Sequence, residues 1–209
     1  MAFDLQEQEQ IDSIKAFWQQ WGKLIVGVLA ASAIAYLGFK GYRYHQEQQA
    51  QKAAAAYENI DAAVAAKDIA KLKSAVTLLQ NDFGSSAYAT RGSLILAKAA
   101  FDKSDLALAK SQLEWVLANS KDESVSAIAR LRLASLLLDL KTYDAAIAEL
   151  NKEHPAGFDA LFLDLKGDVL VAKGDAAAAR DAYKSALAKL VGDSPNRQFI
   201  QTKLDALGG

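Results

Sequence analysis

Sixteen residues from Leu24 to Phe39, LIVGVLAASAIAYLGF, contain no charged residue and no proline, and Lys23 and Lys40 close the run at its two ends. At about 1.5 Å of rise per residue this is roughly 24 Å of helix. A bilayer core is about 30 Å thick, and the two lysines extend the span by snorkelling toward the headgroups. Phe17, Trp18 and Trp21 stand before the run, and Phe39, Tyr42 and Tyr44 at and beyond its end. Aromatics at both edges are the interfacial belt of a membrane helix. A buried core helix of a soluble protein has no need of such a belt. A cleaved signal peptide has a short basic leader, whereas 23 residues precede this run, with Asp4, Glu7, Glu9 and Asp12 against Lys15 and Lys23. The reading is an uncleaved, membrane-embedded single-pass anchor at 24–39, preceded by an acidic tail at 1–23.

Charge near the span leaves its orientation open. Lys15 and Lys23 lie on one side; Lys40, Arg43 and Lys52 lie on the other. Two against three does not separate the two topologies under the positive-inside rule.

Beyond the anchor the chain carries 22 basic and 21 acidic residues. That balance offers no electrostatic footprint for nucleic acid. The chain has no cysteine, which excludes disulfides, thiol catalysis, Cys-based zinc sites and Cys-linked lipid.

The soluble part reads as all-α. Its two prolines, Pro155 and Pro195, sit in polar stretches, and no alternating strand pattern appears. Ile69, Leu72, Val76, Leu79 and Phe83 form one apolar stripe at helical spacing. Related stripes follow at Leu106, Ala109 and Leu113, at Tyr143, Ala146 and Ile147, and at Ala179, Tyr183 and Ala186. Short connectors precede them: Lys67-Asp68, Ser104-Asp105, Lys141-Thr142 and Gly174-Asp175, spaced 37, 37 and 33 residues apart. Helix pairs repeating at about 34 residues are the signature of a tetratricopeptide (TPR) array. Gly167, Gly174, Tyr183 and Ala186 make the last unit the clearest, and the first pair, Tyr57 to Phe83, is degenerate. The expected fold is one N-terminal transmembrane helix, a helical connector at 40–56, and a TPR-like right-handed α-solenoid at 57–209. Ser194-Pro195 starts a C-terminal capping helix, stopped by Gly208-Gly209.

No catalytic constellation is present. His45 and His154 have no ligand or nucleophile spacing and read as solvated polar residues; no HExxH, GxSxG, P-loop or dinucleotide fingerprint occurs. No enzyme activity, cofactor, metal or small-molecule substrate is expected. Stacked helical hairpins instead build a groove that takes peptides or helices. By register its lining is Arg91, Leu94, Lys98, Phe101 and Asp102; then Ile128, Leu131, Ser135, Leu138 and Asp139; then Leu161, Asp164, Asp168 and Val171. Gly27, Ala31 and Ala35, four apart, give the anchor a small-residue face suited to packing on another membrane helix.

The order of these parts resembles a known family. Ile14-Lys15-Ala16-Phe17-Trp18, Trp21-Gly22-Lys23, the opening Val26-Gly27-Val28 and the exit Gly41, Tyr42, Tyr44, Gln46, followed by an Ala-rich TPR-like domain, are similar to the YfgM family of ancillary SecYEG translocon subunits. The resemblance spans the whole chain and is most specific in its first sixty residues. It implies an inner-membrane protein of a Gram-negative bacterium, N-terminus cytoplasmic and domain periplasmic. It implies as partners SecYEG, the anchored periplasmic chaperone PpiD with other periplasmic chaperones, and unfolded client proteins passed toward them. It supplies no catalytic residues. A TPR scaffold of another envelope machine, or a cytoplasm-facing tethered regulator, are the alternatives that the residues alone leave open.

Overall fold

The structure is a computed structural model that describes the backbone of residues 2–190, 192 and 194–208, and the side chains of residues 9–190, 192 and 194–208. The side chains of Asp4 and Glu7 in the acidic tail, and Gly209 of the C-terminal stop, lie outside the described residues. Among the described residues the elements are nine α-helices and one 3-10 turn. They are α1 (Ala2–Ala65), α2 (Ile69–Phe83), α3 (Ala87–Asp102), α4 (Leu106–Asn119) and α5 (Glu123–Asp139). After them come α6 (Tyr143–Leu150), the 3-10 turn (Ala156–Phe158), α7 (Asp159–Lys173), α8 (Ala176–Lys189) and α9 (Asn196–Asp205). The chain divides into two units, 1–51 and 52–209.

The first unit is the N-terminal part of α1. Among its described residues, Leu24, Val28, Ile34, Leu37 and Phe39 are all more than half exposed. A helical segment that is apolar all round is unsuited to water. The helix is long and apolar enough to cross a membrane, with a mean hydropathy of 1.8 over its best 18-residue window. Apart from its chain neighbours and the adjacent backbone of its own helix, no described atom lies within 4 Å of a Cβ built at Gly27.

The second unit is a stack of antiparallel helix pairs. Residues 52–65 of α1 pair with α2, burying Ala53, Tyr57, Ile60 and Ala63 against Leu72, Val76 and Leu79. α3 pairs with α4, α5 with α6, and α7 with α8, and α9 closes the stack on α8. The middle core is built from Leu113, Val116, Leu133, Leu136, Leu150 and Phe162. The last core joins Leu170, Tyr183 and Ala186 to Ile200 and Leu204 of α9. Cores continue from pair to pair because no single hairpin buries both its faces.

One device makes all four turns within the pairs. Asp68, Asp105, Thr142 and Asp175 each donate a backbone N–H to the carbonyl five residues back (Ala63, Ala100, Leu137 and Leu170, at 2.9–3.0 Å). The residue before each has positive φ: Lys67 54°, Ser104 61°, Lys141 57° and Gly174 91°. This is the Schellman ending. Its final residue also starts the next helix. The Asp68, Asp105 and Asp175 carboxylates accept from the N–H groups of Lys71, Leu108 and Ala178, each at 3.0 Å. Each cap satisfies a donor that the helix start leaves free. Thr142 departs from this pattern: its hydroxyl donates to the Leu137 carbonyl at 3.0 Å. At α9, Pro195 already has helical φ and ψ (−55°, −27°), and Arg197 N–H bonds to the Ser194 carbonyl at 2.9 Å.

Candidate partner-binding groove

The first helices of the first three pairs, with the start of α2, line a hollow of about 530 Å³. Its apolar surface includes Ala63, Val64, Leu94, Ile95, Ala99 and Ile128, and its charged margin is Lys67, Asp68, Arg91, Lys98, Asp102, Lys103 and Arg132. Arg91, Leu94, Lys98, Asp102 and Ile128, nominated from register alone, therefore meet at one cavity. A smaller hollow of about 340 Å³ brings in Phe101 and Ser135 beside Lys98, Asp102 and Arg132.

Local contacts fix this margin. The Arg91 guanidinium stands 5.6 Å above the Tyr57 ring, which tilts against Tyr88 at 5.4 Å. Burial raises the Tyr57 phenol above its ordinary pKa, and the nearby Arg91 charge pulls against that shift. Lys98 Nζ is 2.7 Å from the Asp102 carboxylate. Arg132 on α5 reaches back to the preceding pair, donating to the Leu94 carbonyl of α3 at 3.5 Å.

The other nominated residues stand elsewhere. Leu131 and Leu138 are half-buried against the middle core. Asp139 is exposed at the end of α5. Leu161 and Val171 are exposed on α7. Asp164 and Asp168 are engaged by α9: Lys203 Nζ lies 2.9 Å from Asp164 Oδ1 and 2.8 Å from the Asp168 carboxylate. Tyr183 donates its hydroxyl to Asp168 at 2.8 Å. Asp164 is raised above the ordinary carboxylate range by burial, which outweighs its bond to Lys203. Val64, Lys67, Ile95, Lys103 and Arg132 line the groove without having been nominated. Ile95 follows Arg91 by one helical turn, and Arg132 follows Ile128 likewise, so the helical period was the available signal.

The reading of His154 as a solvated residue is corrected. Its ring stacks on Phe162 at 3.7 Å and 10°. Its Nδ1 lies 2.8 Å from the Lys152 carbonyl, and its Nε2 lies 3.3 Å from Asp159. His154 is a packing residue of the α6–α7 connection, and Pro155 beside it made that stretch look like an open loop. Among the described residues, no group of three His, Asp or Glu side chains is placed to hold a metal ion.

A candidate membrane span followed by stacked helical hairpins defines a TPR-like helical-repeat protein with a candidate anchor. A family described as a tetratricopeptide repeat-like domain matches residues 15–209. Relatives from several bacteria carry the name ancillary SecYEG translocon subunit. The protein of Neisseria gonorrhoeae is 36% identical over 208 residues, 99% of this chain and 100% of the relative. That of Haemophilus influenzae is 30% identical over 207 residues, 99% of this chain and 100% of the relative. That of Escherichia coli K12 is 33% identical over 180 residues, 86% of each chain. The chain belongs to this family, the ancillary SecYEG translocon subunits or YfgM family.

Proposed function

We propose that this chain is a non-enzymatic accessory subunit of the Sec translocon that binds partner proteins through its TPR-like domain and helps newly translocated proteins reach periplasmic chaperones. The observation that carries the reading is the match along nearly the whole chain, anchor and domain together, to relatives named for that translocon. The apolar groove supports a binding role. In this reading residues 24–39 cross the inner membrane, the acidic residues 1–23 are cytoplasmic, residues 40–56 connect, and residues 57–209 form the periplasmic domain. The partners are SecYEG, PpiD and other periplasmic chaperones, and unfolded clients. The groove contacts are assigned to Arg91, Leu94, Lys98, Phe101, Asp102 and Ile128. The small face Gly27, Ala31, Ala35 is assigned to packing on a membrane helix of the complex.

Purification in mild detergent from native membranes tests the partners, and protease accessibility in spheroplasts tests the side. Retention of SecYEG, with the domain cleaved only once the outer face is opened, is the expected result. A domain protected in spheroplasts and free of translocon subunits makes the chain a cytoplasm-facing tethered protein instead. Replacing the anchor with an unrelated membrane helix separates the two contacts: undiminished association removes Gly27, Ala31 and Ala35 from the interface.

A further inference from the structure

The groove is apolar within and unevenly charged at its edge. Of its seven charged residues, Lys67, Arg91, Lys98, Lys103 and Arg132 are basic, against Asp68 and Asp102. Both acids are already engaged. Asp102 holds Lys98 at 2.7 Å, and Asp68 caps α2 through the Lys71 N–H and pairs with the Lys71 ammonium at 3.6 Å. Lys67, Lys103, Arg91 and Arg132 have no carboxylate partner among the described residues. Four cations without counter-charges therefore surround an apolar floor that includes Val64, 45% exposed. The whole chain is nearly neutral, at −1, so this excess is local and not a property of the surface at large.

We infer that the groove takes a short amphipathic helix of a partner protein whose apolar residues enter the hollow and whose flanking side chains are Asp or Glu. The inference rests on the partner-binding reading above and adds the chemistry of the partner. Apolar anchors at one helical face fit a groove of this kind. Carboxylates on its flanks meet Lys67, Arg91, Lys103 and Arg132 at the groove margin. Such pairs steer encounter and select partners more than they add affinity, and salt screens them. A purely apolar unfolded segment fills the floor and leaves the cations unmatched.

The test uses the full chain in nanodiscs of neutral lipid and three fluorescent synthetic helices. They share one leucine stripe and carry Glu, Gln or Lys on the flanks. The Glu helix is expected to bind about tenfold more tightly than the Gln helix at low salt, with the difference shrinking as salt rises. The double variant K103E/R132E, at two exposed positions, is expected to lose that preference and to favour the Lys helix. That gain of binding distinguishes a changed groove from a damaged fold. Equal binding of all three helices, no binding of any, or an unchanged preference in K103E/R132E overturns the inference. So does binding of anionic vesicles without helix binding, which makes the patch a lipid-headgroup surface. Translocon co-purification is scored separately. Its loss with Glu-helix selectivity intact removes the Sec assignment and leaves the groove chemistry; the reverse removes the groove chemistry alone.

Discussion

Gly167 of α7 lies directly against the ring of Tyr183 of α8, and a Cβ at position 167 would overlap Cε1, Cδ1 and Cζ of that ring. The close approach lets Tyr183 bury almost completely, at 2% exposure, while its hydroxyl reaches Asp168. Gly167→Ala gains about 1 kcal/mol of helix propensity but forces the ring aside, at a cost of about 1–3 kcal/mol for overpacking. The expected outcome is net destabilisation of up to about 2 kcal/mol in urea unfolding. Gly157→Ala is the control, because a Cβ there meets nothing within 4 Å and surface changes stay within about 0.5 kcal/mol.

Lys67, Ser104 and Lys141 hold the left-handed backbone that Gly174 supplies in the fourth turn. A non-glycine residue there costs about 1–2 kcal/mol. Part of that returns as extra freedom of glycine in the unfolded chain. Lys67→Gly, Ser104→Gly and Lys141→Gly are each expected to stabilise the domain by up to about 1 kcal/mol, and Gly174→Ala to destabilise it by about 1–2 kcal/mol. Thermal melts of the four variants read this directly.

Sequence and structure agree most closely at these turns. The connectors stood out because a polar residue precedes an Asp or Thr cap at a repeating interval, and both signals are local. The left-handed backbone was marked only at Gly174, since Lys and Ser do not advertise positive φ. The groove was legible as a helical register at Arg91, Lys98 and Ile128. Its wall from residues 52–65 was not, because the first pair lacks the small-aromatic-small pattern of the last. Asp164 and Asp168 read as groove residues from their register on α7. Lys203, which bonds both, lies 39 and 35 residues further along the chain, and no local period connects them.

Lys203 fastens α9 to the last pair. Its side chain is 21% exposed, between Asp164 at 19% and Asp168 at 30%, and its ammonium stands 4.8 Å from the Phe199 ring centroid. Lys203→Met leaves two adjacent, partly buried carboxylates without their cation. The expected loss is about 1–3 kcal/mol, toward the lower side of values for buried pairs because water still reaches the cluster. Hydrogen exchange should rise first in residues 196–205 and leave α2 to α4 unchanged.

The same cluster sets an alkaline limit. Burial alone would lower Lys203, but its bonds to Asp168 and Asp164 outweigh this and raise it. Burial, then the bond to Asp168, holds the Tyr183 phenol well above the ordinary tyrosine range. Both groups keep their protons longer when folded than when unfolded. Their contribution is complete below the unfolded values, about 10 for Tyr and 10.4 for Lys, and declines as pH rises through the folded ones, where the unfolded chain binds fewer protons. Stability is therefore expected to fall above about pH 10, and less steeply in the double variant Tyr183→Phe, Lys203→Met. Urea midpoints across alkaline pH, with a spectrophotometric tyrosine titration, check both parts.

Photo-crosslinking in native membranes bears most directly on the role of the chain, with one probe at Ala31 in the anchor and one at Phe101 beside the groove, 42% exposed. The expected result is adducts to SecYEG subunits from Ala31 and to a periplasmic chaperone or translocating client from Phe101. Adducts confined to cytoplasmic proteins, or none to the translocon from either probe, would contradict an accessory role at the Sec channel.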